Sequence, residues 1–123
     1  MKFPRLTDLA SEVVTSTQAG LPAPIRDLAR IVPVHFEAFP SDDIVKEGFE
    51  PDILGLFSGA AHGDDPGADN TIPAQISLYL ENLWDFAEGD PRVFKEEVRL
   101  TYLHELGHFL GWNEDDLTAR GLD

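Results

Sequence analysis

The segment GDPRVFKEEVRLTYLHELGHFLGW, residues 89–112, carries the clearest local signals in the chain. Asp90 has a side chain that caps helix N-termini. Pro91 suits the first helical position, because its fixed φ matches the helix and its missing N–H is not needed there. Gly111 is typical of the residue just beyond a helix C-terminus. The sequence therefore predicts a helix from about Pro91 to Leu110.

Two of the four histidines lie on this predicted helix, four residues apart. His104 and His108 would share one face, about 6 Å apart, and imidazole nitrogens from that face can bind one zinc ion at about 2.0–2.1 Å. Glu105 would project about 100° further round the helix, beside the ion. There it can act as a general base, taking a proton from water and passing it to the leaving amine of a peptide bond. Residues 104–108 therefore predict a zinc site suited to hydrolysis.

A third zinc ligand is expected just after this helix. Gly111 ends the helix, and the carboxylates Glu114, Asp115 and Asp116 follow at once. A chain that turns at a glycine can bring one of them back to the ion, and catalytic zinc needs three protein ligands with one open position. The spacing alone does not decide which of these three carboxylates binds the ion. A carboxylate that does not bind zinc can instead hydrogen-bond a ligand histidine.

The run HELGHFLGWNE, residues 104–114, resembles the pattern His-Glu-x-x-His-x-x-Gly-x-x-ligand of the metzincin peptidases. The C-terminal half is similar to the minimal zincins, small bacterial zinc metallopeptidases with a matrix-metalloprotease-like core. The matching segments are ILGLFSG (53–59), AQISLYLENL (74–83) and EEVRLTYLHELGHFLGWNEDDL (96–117). The resemblance extends over roughly half of the chain.

This resemblance implies a zincin-like α+β fold, in which a small mixed sheet packs on the helix that carries the motif. It implies His104, His108 and Glu114 as zinc ligands and Glu105 as the general base. The implied activity is that of a zinc metallopeptidase acting on peptides or proteins.

The sequence departs from larger metzincins after the motif. Those proteins have a methionine-containing turn beneath the metal, whereas the only methionine here is Met1. The tyrosine that such a turn can supply to an oxyanion is missing as well. These departures predict weak catalysis, and they keep open a non-catalytic metal-binding or interaction domain that retains the scaffold. A third hypothesis is that the motif is a coincidence in an apolar helix, with both histidines in the core.

The charge balance narrows the range of partners. The chain has 9 Lys and Arg against 23 Asp and Glu, a formal net charge of -14. Nucleic acids and anionic membrane surfaces both favour basic patches, so neither is an expected partner. An acidic protein attracts cations instead. The oligomeric state is left open by the sequence.

The 123 residues predict a single domain, residues 1–123. There is no cysteine, which excludes disulfides and thiolate metal ligands, so any metal must be held by His, Asp or Glu. No continuous apolar stretch predicts a signal peptide or a membrane-spanning helix. The expected location is therefore the cytoplasm.

The remaining segments predict one more helix and three short strands. Apolar residues at helical spacing predict a helix over residues 5–18. Alternation of apolar and polar residues predicts strands within residues 30–39 and 73–83, and a short apolar segment bounded by turn residues predicts another at residues 53–59. Pro33 predicts that the first of these is an edge strand or begins at the proline. Residues 81–89 can instead form a helix, which leaves the end of the third strand open.

Several further side chains are candidates for the site. A structural or solvent-exposed role is predicted for four of them: His35, His62, Tyr79 and Tyr102. Glu97 and Thr101 would lie on the histidine face of the helix, one and two turns back, where either can orient a ligand histidine. The strand at residues 53–59 is either an ordinary core strand or the sheet edge on which a peptide substrate pairs.

Overall fold

The computed structural model describes residues 1–59 and 73–119, apart from the side chains of Glu114, Leu117 and Thr118. Its elements are α1 (Phe3–Ala19), α2 (Ala23–Ala29), β1 (Val34–Glu37), α3 (Asp42–Lys46), β2 (Gly55–Ser58), β3 (Gln75–Tyr79), α4 (Leu80–Phe86), α5 (Pro91–Phe109) and α6 (Glu114–Ala119). His62 and the Gly/Asp-rich loop around it lie outside the described residues. None of the described helices combines the length and apolarity needed to cross a lipid bilayer.

The three strands form one mixed sheet in the order β1-β3-β2. β1 pairs with β3 in parallel, with Val34 opposite Ile76, and β2 pairs with β3 antiparallel, with Phe57 opposite Ile76. Pro33 lies directly before β1, and β1 is an edge strand of the sheet. Both positions suit a proline, which has no N–H to donate to a neighbouring strand. The sheet and the helix that carries the motif confirm the predicted small α+β fold.

The core lies between one face of the sheet and helices α1, α4 and α5. Ile76 and Leu78 of β3 are fully buried on that face. The helices contribute apolar side chains at helical spacing, including Leu6, Leu9, Ala10, Val14, Leu80, Leu83, Phe94, Val98, Tyr102, Leu106 and Phe109. The third strand is shorter than the full alternating segment, because Leu80 and Leu83 are both buried at a spacing of three and helix α4 begins at Leu80.

Helix α5 begins and ends where its terminal residues predicted. The Asp90 carboxylate accepts hydrogen bonds from the N–H groups of Arg92 (2.9 Å) and Val93 (3.5 Å). At the other end Gly111 has a φ of 82°, in the left-handed region that favours glycine. The Gly111 and Trp112 N–H groups donate to the His108 and Gly107 carbonyls, both at 3.0 Å, which closes a Schellman motif.

Strand β2 lies unusually close to α5, and Gly55 makes this approach possible. A Cβ on Gly55 would lie 2.7 Å from Thr101 Cγ2 and 3.2 Å from the Ser77 carbonyl oxygen. The segment that leads into β2 is held from the other side, where the Asn82 amide donates to the carbonyls of Pro51 and Ile53, both at 2.9 Å. These contacts fix the edge of the sheet against the helix face that carries the histidines.

Candidate metal site

The imidazole rings of His104 and His108 on α5 bring their Nε2 atoms close together. Their Nε2 atoms are 3.1 Å apart, and their ring centroids are 4.7 Å apart with the ring planes at 81°. Two nitrogens that share one tetrahedral zinc ion at about 2.0–2.1 Å lie about 3.3 Å from each other. The His104 and His108 nitrogens therefore already have the separation that one ion requires. Both side chains are half-buried, neither belongs to the buried core, and His104 lines a cleft.

Glu105 completes the group of donor atoms. One atom from each of His104, Glu105 and His108 can be chosen so that all lie within 4.8 Å of one another. Among the described residues, this is the group of three or more His, Asp and Glu side chains arranged to hold a metal ion. The carboxylate thus lies directly beside the histidine pair, as the spacing on the helix predicted.

The Glu105 carboxylate is also tied to the sheet. Its Oε1 accepts a hydrogen bond of 3.0 Å from the backbone N–H of Phe57 in β2. The Tyr79 N–H donates to the Leu54 carbonyl, so Leu54 directs its backbone groups to β3. Since successive residues of a strand direct these groups to opposite sides, Gly55 and Phe57 direct theirs to the side of β2 away from β3, which no other described strand occupies. Glu105 therefore binds an outward-facing amide at the edge of the sheet.

A cleft of about 380 Å³ opens beside this group, between the start of β2 and the outer face of α5. His104 and Glu105 lie at one side of it, and Glu97 and Thr101 line it as well. The prediction that Glu97 and Thr101 share the histidine face is confirmed. A cavity of this size is within the range of ligand pockets, about 300–1,000 Å³.

The third ligand remains a prediction. Glu114 is the first residue of α6, and its side chain is not among those described. Asp116 is engaged at the start of the same helix, because its carboxylate accepts from the Asn113 N–H (3.0 Å) and its own N–H donates to Asn113 Oδ1 (2.9 Å). Asp115 is exposed, and neither aspartate belongs to the donor group of the two histidines.

This reciprocal pair is a capping box at the start of α6. Asp116 was predicted as a zinc ligand or as a hydrogen-bond partner of a ligand histidine, although Asn113 followed three residues later by an acidic residue is the pattern of a helix start. The contact of Glu105 with Phe57 had no signal in the sequence, because a backbone amide can be supplied by any residue.

The two tyrosines are packed, as predicted. Tyr102 is fully buried and its hydroxyl accepts a hydrogen bond of 3.0 Å from the Gln18 side chain; burial raises the pKa of Tyr102, against the opposing effect of this bond. Tyr79 is 1 % exposed. Burial first, and the Glu37 carboxylate second, raise the pKa of Tyr79, so its phenol is neutral near pH 7. His35 is exposed on β1.

Comparison with known proteins identifies a family whose model matches this chain. The family model for zincin-like metallopeptidases matches residues 29–122, which includes the whole sheet and helix α5. A search of curated proteins returns no match. The matched region covers more than half of the chain, and the histidine pair with its adjacent glutamate lies within it. The chain therefore belongs to the zincin-like metallopeptidase family.

Proposed function

We propose that this protein is a zinc-dependent peptidase that hydrolyses peptide bonds in peptide or protein substrates. The observation that carries the proposal is the convergence of the His104 and His108 Nε2 atoms, 3.1 Å apart, beside the Glu105 carboxylate. Family membership supports the same reaction class. The coincidence hypothesis, in which both histidines belong to the core, does not fit two half-buried rings, one of which, His104, lines a cleft.

The donor set fits zinc. Neutral imidazole nitrogens and carboxylate oxygens are ligands that zinc accepts, and a catalytic site uses three protein ligands with one position left open. We assign His104, His108 and Glu114 as these ligands, the last on the family pattern. A zinc ion held there would supply Lewis acidity, which polarises a carbonyl and makes water more acidic.

Glu105 is assigned as the general base. Its carboxylate would take a proton from the attacking water as the water oxygen bonds to the carbonyl carbon. When the resulting tetrahedral intermediate collapses and the C–N bond breaks, Glu105 would pass that proton to the leaving amine. The Phe57 N–H holds one carboxylate oxygen at 3.0 Å and so limits the orientations of the side chain. A base positioned in this way loses less freedom when the reaction occurs.

The free edge of β2 offers a place for the substrate backbone. Gly55 directs its N–H and carbonyl outward and Phe57 its carbonyl, next to the cleft that contains His104 and Glu105, while the Phe57 N–H is bound to Glu105. A peptide in extended conformation can add to such an edge through main-chain hydrogen bonds. This arrangement would bring a peptide bond alongside the base.

The reaction is tested by metal analysis together with turnover of a peptide library. Wild-type protein is expected to bind one zinc and to cleave peptides, and Glu105→Gln is expected to lower the rate by about 10²–10⁴-fold while zinc content is unchanged. His35→Gln changes an exposed histidine on β1 and serves as the control. Stoichiometric zinc without any Glu105-dependent cleavage would contradict the peptidase and favour a non-catalytic metal-binding domain.

The ligand assignment is tested separately. Glu114→Ala is expected to weaken zinc affinity more than Asp115→Ala or Asp116→Ala, because only the first removes an assigned ligand. Competition titration with a chromogenic chelator measures all three on one scale. Equal losses of affinity for the three variants would show that Glu114 is not the third ligand. Asp116→Ala should instead lower the stability of α6, whose cap it supplies.

A further inference from the structure

The cleft beside the candidate metal site combines apolar walls with a single carboxylate at some distance from the histidines. Ile53, Leu54 and Leu100 supply apolar surface, and Glu97 is, besides Glu105, the acidic residue on the helix side. Glu97 precedes His104 by seven residues, which is about 10 Å along a helix axis. The cleft therefore leads from the histidine pair, along apolar side chains, to a carboxylate.

Glu97 differs from the acidic residue next to it. Glu96 points to the other side of α5 and forms an ion pair with Arg99. Glu97 is half-buried in the cleft, and among the described residues it forms no ion pair within 4.0 Å. A half-buried carboxylate is screened less by solvent than one on the surface, so it attracts a cation more strongly.

The charges around the cleft have one sign. Leu54 also borders a second hollow, which contains Asp52 and Asp85. The basic residues of α5 lie elsewhere, beside α1: they are Arg92, Lys95 and Arg99. The described lining of the cleft includes no lysine or arginine. The net charge of -14 adds a field that draws cations toward the protein as a whole.

We propose that this cleft receives a lysine or arginine side chain of a peptide substrate and that Glu97 determines this specificity. The inference rests on the proposed peptidase function for the position of the substrate backbone. Lysine and arginine pack their aliphatic stems on apolar surface while the charged end stays at a polar site. Ile53, Leu54 and Leu100 would contact the stem, and Glu97 would pair with the charged end.

The test measures peptide binding to zinc-loaded protein carrying Glu105→Gln, which keeps the peptides intact. Capped peptides differ at one scanned position only, where they contain lysine, its uncharged analogue norleucine, or glutamate, and affinity is read by fluorescence anisotropy. At one position lysine is expected to bind about fivefold more tightly than norleucine, the effect of one partly exposed ion pair. Adding Glu97→Gln should reduce this ratio to about one, and Glu97→Lys should favour glutamate.

Glu96→Gln is the matched control, because it removes a neighbouring carboxylate of the same helix that faces away from the cleft. It should leave the lysine preference unchanged, and melting curves check that each variant is folded. The absence of a lysine preference at every position, or its equal loss in the Glu96 and Glu97 variants, would overturn the inference. Glu97-dependent binding without cleavage by wild-type protein would refute the peptidase alone, and cleavage without Glu97 dependence would refute this specificity alone.

Discussion

Helix α5 has two faces that differ in burial and in the polarity of their side chains. One face is buried against α1, α4 and the sheet, and includes Phe94, Val98 and Leu106, each 2 % exposed or less. The other face borders the cleft and carries His104, Glu105, His108 and two further polar side chains, all of them half-buried. The residues that stabilise the fold and the candidate metal ligands are thus separated round one helix, so a change on one face should leave the property of the other face intact.

The largest effect on stability is expected for Phe94→Ala. Phe94 is fully buried and packs edge-on against Trp84, with ring centroids 5.7 Å apart. Its removal leaves a cavity and should lower the free energy of unfolding by about 3–5 kcal/mol. Val93→Ala, at a position that is 41 % exposed, should change it by less than about 0.5 kcal/mol. Denaturant titration measures both, and similar values for the two would contradict the division between faces.

Zinc should stabilise the protein through the cleft face alone. A ligand that binds only the folded state adds about 2.7 kcal/mol when its concentration is 100 times its Kd. Melting curves with zinc and with a chelator should show this gain for wild-type protein and its loss for His104→Ala. Without zinc, His104→Ala should melt close to wild type, because the ring is half-buried and outside the core. A large loss of stability in the absence of zinc would indicate that the histidine face also supports the fold.

A smaller effect on stability is expected from a change at Gly55, where β2 contacts α5. Gly55→Ala would place a Cβ 2.7 Å from Thr101 Cγ2, so either the Thr101 side chain or β2 must move. We expect a loss of about 1–3 kcal/mol in the free energy of unfolding. A shift of β2 would also disturb the bond between Glu105 and the Phe57 N–H. Gly20→Ala is the control, because the nearest atom to its Cβ would be 3.7 Å away. Equal stability of the two variants would show that the close approach is not required.

The features that could be predicted from the sequence are those that depend on residues close together in the chain. Asp90, Pro91 and Gly111 predicted the ends of α5, because capping depends on residues within one turn. The spacing of His104 and His108 predicted their shared face for the same reason. The end of β3 was left open, since Leu80 fits both the alternation of a strand and the first turn of the buried helix that follows.

Contacts between distant segments could not be predicted in this way. The bond from the Phe57 N–H to Glu105 joins residues 48 positions apart, and it depends on how β2 lies against α5. The cleft depends on the same packing, because Gly55 and Thr101 are brought together by the fold. The sequence indicated which residues are candidates for the metal site, whereas their arrangement with the sheet required the structure.

The bond between Glu105 and Phe57 has a consequence for the solubility of the protein. A sheet edge with unpaired N–H groups is a template on which another chain can aggregate, and proteins often place charges there. Here the Glu105 carboxylate occupies an outward-facing amide of a four-residue edge strand. Glutamine retains an oxygen that can accept this bond, whereas alanine would leave the amide uncovered. Glu105→Ala should therefore aggregate more readily than Glu105→Gln, and light scattering at high protein concentration can compare the two variants.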